Sequence, residues 1–453
     1  MRSNLDMITS SKPVRLMAAA AVAATMTAVC AGQTTPVQAA AVAAPEIPDT
    51  PAGRQLRWLL DAATRPPIPE SELKQHFSAE FLQSVPAGQL NQTLTAFKGM
   101  RFQELTRSES VLLVATVEAA GTLLDLSLTT DGAGLVNGLL FRPRASPAPK
   151  DWAELDQRLS RLAPQAGFIA AEVTKDGACR PLHSVAPGTA RPLGSMFKLY
   201  VLGAVAERIA SGAFGWDTRL TITPELKSLG SGELQNRPDN SKVSVLEAAK
   251  LMISVSDNTA ADLLIHRAGR KNVERTARAW GARDRRDTPW LTTREMFVLK
   301  GAGYPRHARK YLSLGTAGKR TYLDRVVAKV PLSRVAGWTA PRELDTLEWY
   351  ASPAQVCQAF ARLSRLPDRH VGEALSISDA GLALDRAQWP SVWYKGGSEP
   401  GVSDVGYLAR TADGRSFVVT TLAIDPKAPF DQARAFSEQL GLTRGAFTLV
   451  KGS

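Results

Sequence analysis

Histidine and cysteine are scarce in this sequence, five and three among 453 residues. His76, His183, His266, His307 and His370 are dispersed, with no pair at helix or zinc-knuckle spacing, so no metal is expected. Cys30 lies in an N-terminal apolar run, Cys179 beside a hairpin turn at Lys175-Asp176-Gly177, and Cys357 in an apolar helix, so no disulfide framework is expected. Basic tracts interleaved with aromatics are also missing; the arginines are scattered through helices and loops, and a nucleic-acid partner is not expected. The one apolar run near a terminus, Leu16 to Cys30, is too short to span a bilayer comfortably.

That run is an address. Arg2, Lys12 and Arg15 precede it, and small residues with a cleavage candidate at Val37-Gln38-Ala39 follow it, so residues 1–39 read as a secretory signal and the protein as exported to the envelope or medium. A lipoprotein signal ending at Cys30 is the less favoured alternative, because Val29 stands where a small residue is normal. Cleavage removes three cations and Asp6, taking the formal charge from +12 to +10. A basic exported chain is attracted to anionic wall polymers or membrane surface, or is simply soluble.

With 44% hydrophobic and 22% charged residues the composition is that of a globular protein, and the length suffices for two or three domains. Residues 40–50 read as a disordered linker. From 51 to 144 the pattern runs helix, helix, strands: Leu56 to Ala63 and Ser71 to Leu82 have helical periodicity, while Ser110 to Glu118, Thr122 to Thr129 and Gly134 to Phe141 are strand-like, separated by Ala120-Gly121 and Asp131-Gly132. This is a small α+β unit with a curved antiparallel sheet. Residues 145–151, rich in Pro, form a linker. From 152 to 450 an opening helix, two strands (Phe168 to Thr174, Pro181 to Val185), a helical middle and closing strands (Val392 to Tyr394 continuing through Val405 to Ala409, then Ser416 to Asp425) imply one sheet completed by both ends of the domain.

Chemistry concentrates at Pro192-Leu193-Gly194-Ser195-Met196-Phe197-Lys198. A helix starting at or just before Ser195 stands Ser195 and Lys198 one turn apart on one face, a nucleophile beside a base whose pKa burial and positive charge can lower. The helix N-terminus offers free amides and a positive dipole end to a developing oxyanion. A second Ser-x-x-Lys, Ser71 to Lys74, lies in a charged segment and is read as structural. Downstream, Ser256-Asp257-Asn258 follows an amphipathic helix, and Lys395-Gly396-Gly397-Ser398 sits on a terminal strand.

These three elements, in this order, resemble the S-x-x-K, S-D-N and K-T-G motifs of the class A β-lactamase and penicillin-binding protein superfamily. The resemblance covers roughly residues 150 to 450 and implies an antiparallel sheet flanked by helices. It makes Ser195 the acylated nucleophile, Lys198 its activating neighbour, and Ser256 a proton relay. Asn258 fixes helix geometry and touches substrate, Lys395 holds a substrate carboxylate, and the amides of Ser195 and Ser398 form an oxyanion hole beside Gly397. Three departures stand out. Gly396 replaces the hydroxyl residue of K-T-G. The E-x-x-L-N loop has no counterpart, since Glu295 reads as a helix capping box and Glu348 precedes another helix. Residues 300–342 look like an insertion that walls or covers the site. Together with the small front domain, they resemble a subgroup of exported β-lactamase-like serine hydrolases that includes a cephalosporin esterase of the clavulanic acid gene cluster, with a front domain like steroid isomerases or nuclear transport factors. The resemblance implies a serine hydrolase acting on a β-lactam or ester without cofactor, weak as a penicillinase; a peptidoglycan D,D-peptidase working on cell-wall peptide and a non-catalytic β-lactam sensor are the alternatives.

Overall fold

The computed structural model describes residues 46–119 and 121–451, so the expected secretory signal, Cys30 and the cleavage candidate lie outside the described residues. The chain divides into two compact units between Arg144 and Ala145.

In the first unit, helix α1 (Pro51–Ala62) starts where Thr50 accepts a hydrogen bond from the Gly53 amide and Pro51 has no amide to leave unpaired. It buries Ala52, Leu56, Leu59 and Ala62 along one stripe. The single helix expected from Ser71 to Leu82 is two, α2 (Glu70–His76) and α3 (Ala79–Ser84). Phe77 is extended and bridges to Val136, and Ser78 caps α3. After α4 (Ala87–Ala96) come β1 (Arg101–Ser108), β2 (Leu112–Ala119), β3 (Thr122–Thr130) and β4 (Val136–Pro143), an antiparallel meander in chain order. Alternate residues of β3, Leu124, Leu126 and Leu128, face the core.

The second unit opens with α5 (Trp152–Leu162), β5 (Gln165–Val173), β6 (Cys179–Val185) and the two-residue β7 (Arg191–Pro192), then a 3₁₀ turn, Gly194–Phe197, that runs into α6 (Lys198–Ala210). The helical middle holds β8 (Arg219–Thr221), β9 (Lys242–Ser244), α7 (Val245–Ser254), α8 (Asn258–Ala268), α9 (Arg270–Ala279), α10 (Thr293–Gly301), α11 (Arg306–Leu312), α12 (Thr316–Arg325), β10 (Tyr350–Ala351), α13 (Pro353–Ser364) and α14 (Arg369–Leu375). The chain returns as β11 (Ser391–Glu399), β12 (Val402–Arg410), β13 (Ser416–Ile424) and α15 (Gln432–Lys451). Strand order is β11-β12-β13-β5-β6, all antiparallel, so the first and last strands of the unit do share one sheet. The closing segment expected to continue from Val392 through Ala409 is two strands reversing at Pro400-Gly401, where Gly401 has φ +87°.

Helices α5 and α15 cover one face of the sheet through Leu155, Leu159, Leu440 and Phe447, and the helical middle covers the other through Phe197, Leu199, Val356 and Phe360. The closing strands are followed by helix α15, which contains Gly441 and Gly445. A Cβ at either would lie 2.4 Å from Ser146 or Pro149, so the glycines admit the Pro-rich segment against the helix. Residues 300–342 are largely helical, with Tyr311, Leu323 and Val327 buried and Ala302 bridging Val335.

The expectation of no disulfide is corrected: Cys179 and Cys357, 178 residues apart, are bonded with their Cα atoms 6.3 Å apart. The pairing arises because α13 lies across the sheet beside β6, a proximity that local sequence does not encode. Replacing Cys357 by Ala is expected to lower unfolding stability by about 2–5 kcal/mol in non-reducing urea titrations. The parent should lose a similar amount on adding dithiothreitol, and a parent indifferent to reductant would contradict the bond.

Candidate active site

Two glycines bring the serine turn and the edge strand β11 together. Gly194 has φ +46°, and a Cβ there would lie 2.9 Å from the Ser398 amide nitrogen. A Cβ on Gly397 would lie 2.1 Å from the Leu193 carbonyl oxygen and 2.8 Å from the Ser195 nitrogen. Neither position has room for a side chain, and the amides of Ser195 and Ser398 consequently border one crevice.

Lys198, at the first turn of α6, is wholly buried. Its Nζ lies 3.2 Å from Ser195 Oγ, 2.5 Å from the Ser256 carbonyl, 3.1 Å from Ser256 Oγ and 2.7 Å from Asn258 Oδ1. The amide of Asn258 is oriented by its Nδ2, which donates to the Leu229 carbonyl at 2.8 Å. Two of the four partners, the carbonyl and the amide oxygen, only accept. A neutral amine has two N–H groups for them and one lone pair, which is then left to the serine hydroxyls. Burial favours that neutral form and lowers Lys198 to about 7 against the opposing pull of Asp257 and Asp262.

Ser256 is placed by backbone conformation. Its φ is +57°, rare for a side-chain-bearing residue, and it lies between α7 and the cap of α8. Asp257 fixes that bend: it accepts from the Ala260 amide as the α8 cap and from the amides of Glu233 and Leu234 at 2.7 and 2.9 Å. Lys395 reaches in from β11, donating to Ser256 Oγ at 3.1 Å and to its neighbour's carbonyl, Gly396, at 2.6 Å. Burial, then the nearby Lys198, pushes Lys395 well below the ordinary lysine range. Neither amine has a carboxylate within ion-pair distance among the described residues.

Ser195, Lys198, Ser256, Asn258, Lys395, Gly397 and Ser398 are therefore gathered into one site. The second Ser-x-x-Lys is not part of it. It lies in α2, where exposed Lys74 pairs with Glu70 and Leu73 enters the core. Glu295 does form a capping box with Thr292, and its carboxylate also takes two hydrogen bonds from Arg270. Glu348 is bound to Lys300 at 2.7 Å. Both acids thus have structural partners. At Gly396, a Cβ would fall 2.2 Å from the Tyr394 hydroxyl, so the tyrosine occupies the space that a hydroxyl residue there would need.

Sequence reasoning missed three contributors. Asp262 is buried beneath the site, where burial raises it to about 7 despite hydrogen bonds from the Thr293 and Arg294 amides and the Thr293 hydroxyl. Phe297 lies against Gly230, beside Asn258, with Trp338 next to it. Glu399 is aligned with Lys395 and Gly397 on one face of β11, a period-two signal present in the sequence. No group of three metal-ligating side chains occurs among the described residues.

The arrangement supplies a hydroxyl nucleophile, a proton acceptor, a second hydroxyl and two backbone amides, of Ser195 and Ser398, on segments that lie side by side. A model of the beta-lactamase enzyme family matches residues 154–444, and a model of the N-terminal part of the ORF 12 gene product matches residues 47–136. The beta-lactamase regulatory protein BlaB of Streptomyces cacaoi is 28% identical over 261 residues, covering 54% of this chain and 80% of BlaB. Solved structures of similar fold include PBP-A, at 17% identity and a TM-score of 0.44 over 68% of this chain and all of that one. Another is a β-lactamase of Sphaerobacter thermophilus, at 18% identity and a TM-score of 0.46 over 67% of this chain and 98% of its own.

The reactivity of Ser195 toward a fluorophosphonate should follow the charge of Lys198. Below about pH 7 the ammonium cannot take a proton, so the rate should rise about tenfold per pH unit and level off above that value. Lys198→Arg, which stays charged, should lose roughly 10²–10⁴ in rate and the pH dependence with it. A rate that falls with pH through this window would contradict the assignment.

Proposed function

The chain belongs to the beta-lactamase enzyme family, and from that premise we propose that it is an exported serine hydrolase that forms an acyl-enzyme on Ser195 with a β-lactam or ester substrate. The observation that carries the reading is the position of Lys198 Nζ, 3.2 Å from Ser195 Oγ and 3.1 Å from Ser256 Oγ.

In this reading neutral Lys198 takes the Ser195 proton as Oγ attacks the substrate carbonyl. The amides of Ser195 and Ser398 hold the oxygen that becomes negative. Ser256, hydrogen-bonded to both lysines, passes a proton to the leaving nitrogen or oxygen as the scissile bond breaks. Lys395 has no counter-ion until substrate arrives, and a substrate carboxylate supplies one. Deacylation requires water and a base. Because Glu295 and Glu348 are engaged elsewhere, the reading favours slow release of a bulky β-lactam acyl group, and so inefficient penicillin hydrolysis, with faster release of a small ester's acyl group that leaves room for water. Export is supported by the Cys179–Cys357 disulfide, a bond that persists in oxidising compartments.

A second reading, β-lactam sensing, draws support from the same engagement of the two glutamates and from the regulatory name of the S. cacaoi relative. Intact-protein mass spectrometry with a penicillin, a cephalosporin and a chromogenic acetyl ester separates the two. Rapid turnover of the ester without an accumulated acetyl adduct is expected of the hydrolase, a lasting adduct on the Ser195 peptide with ester and β-lactam alike of the sensor. Ser195→Ala should abolish both signals, and retained turnover in that variant would overturn the acyl-enzyme.

A further inference from the structure

Three charged side chains outside the site form a buried cluster whose acids lie beside its two backbone segments in sequence. Lys300, at the end of α10, has no exposed side-chain surface, nor has Glu348, and the Glu399 side chain is 9% exposed. Lys300 Nζ donates to Glu348 Oε1 at 2.7 Å and to Glu399 Oε1 at 2.8 Å. Each carboxylate adjoins one half of the oxyanion crevice. Glu399 directly follows Ser398. Glu348 directly precedes Trp349, whose carbonyl accepts from the Leu193 amide at 2.9 Å and whose ring stacks on Phe197 at 3.7 Å, gripping the serine turn on both sides of Ser195. The next two residues, Tyr350 and Ala351, pair with Pro192 and Arg191. A single ammonium thus ties the end of the strand that carries Ser398 to the segment that grips the serine turn.

Resting on the acyl-transfer reading above, we propose that Lys300, Glu348 and Glu399 are positioning residues that set the spacing between the Ser195 and Ser398 amides. An oxyanion hole works only if its donors are fixed before charge develops, and the two donors here lie on segments far apart in sequence. A nearly buried ionic bridge between two backbone segments fits that task better than a generic stabilising pair, since apolar residues usually stabilise a core as well as buried ions do. The charge balance is also particular. Two ionised carboxylates against one ammonium would leave a net negative charge under the crevice, where it would oppose an oxyanion. Burial, with Glu348 alongside, pushes Glu399 well above the usual carboxylate range, which works against that second negative charge. Its second oxygen, Oε2, is buried without a partner.

The test uses the full chain and two readouts: the second-order rate of Ser195 labelling by a fluorescent penicillin, and amide hydrogen exchange in peptides covering 193–199 and 394–400. Glu399→Gln, which mimics the neutral carboxyl, should label within about threefold of the parent, whereas Glu399→Leu should not. Lys300→Met should slow labelling at least about 20-fold, part of the roughly 10²–10³ that one lost oxyanion donor costs, and should speed exchange in both peptides. Because Lys300→Met strands a buried carboxylate, the double variant Lys300→Met/Glu348→Gln removes cation and anion together and is expected to fold, yet still label slowly and exchange fast. Parent-like labelling and exchange in that double variant would overturn the proposal. A parent that is not labelled at all would instead overturn the acyl-transfer reading, while the exchange comparison would still decide whether the cluster holds the two segments.

Discussion

The site depends on the burial of amines without counter-ions. Lys198 and Lys395 share the Ser256 hydroxyl and otherwise face backbone carbonyls and an amide oxygen. Desolvation disfavours both charges, and each charge disfavours the other, so the pair is most stable with few protons on it. The contrast with Lys300 is direct. It is equally buried but touches two carboxyls, which hold its pKa above the ordinary range. Three buried lysines are thus shifted in different directions according to their neighbours, the pair lacking acids downward, with Lys198 at about 7, and Lys300 upward.

Holding two amines together in that way costs free energy that the surrounding fold must offset. Asp257 contributes at the closest range: its three backbone hydrogen bonds cap α8, clasp the 233–234 loop and keep Ser256 in its positive-φ bend. Asp262 repeats the device one turn later by gathering the start of α10. On the other side the glycines of β11 and the serine turn let two backbones approach without intervening side chains. The apolar layer of Phe197, Tyr200, Trp290 and Trp349 behind the turn excludes water, which keeps the desolvation of Lys198 in force.

How much of this is legible in the sequence depends on which interactions are local. Ser195 and Lys198 sit one turn apart because helix geometry puts i and i+3 together, and the sheet assembled from both ends of the second unit emerges from strand patterns alone. The capping box at Thr292 and Glu295 is readable for the same reason. The illegible features are long-range. The cysteines pair across 178 residues, and α15 carries two glycines whose purpose is to receive another segment. Ser71 to Leu82 keeps helical periodicity across a break that Phe77 makes by pairing with a strand 59 residues away, at Val136. Lys300 and Glu348 read as an insertion boundary and a helix approach, because nothing local tells a solvated charge from one that meets its partner 48 residues on.

The engagement of the acids bears on the step after acylation. In the proposed acyl transfer, once a leaving group departed with the proton that Ser256 would relay, Lys198 would again be neutral, with its amine within hydrogen-bond reach of Ser195 Oγ. A water entering the space of the leaving group would then meet the same amine that activated the serine, so both half-reactions would run through one base. Such an economy ties deacylation to the geometry of acylation. Any bound group that keeps water out of that space, or that holds Lys198 protonated through its own carboxylate, prolongs the adduct. On that proposal turnover and sensing would be neighbouring outcomes of one site, separated by what the bound acyl group leaves open rather than by a different set of residues.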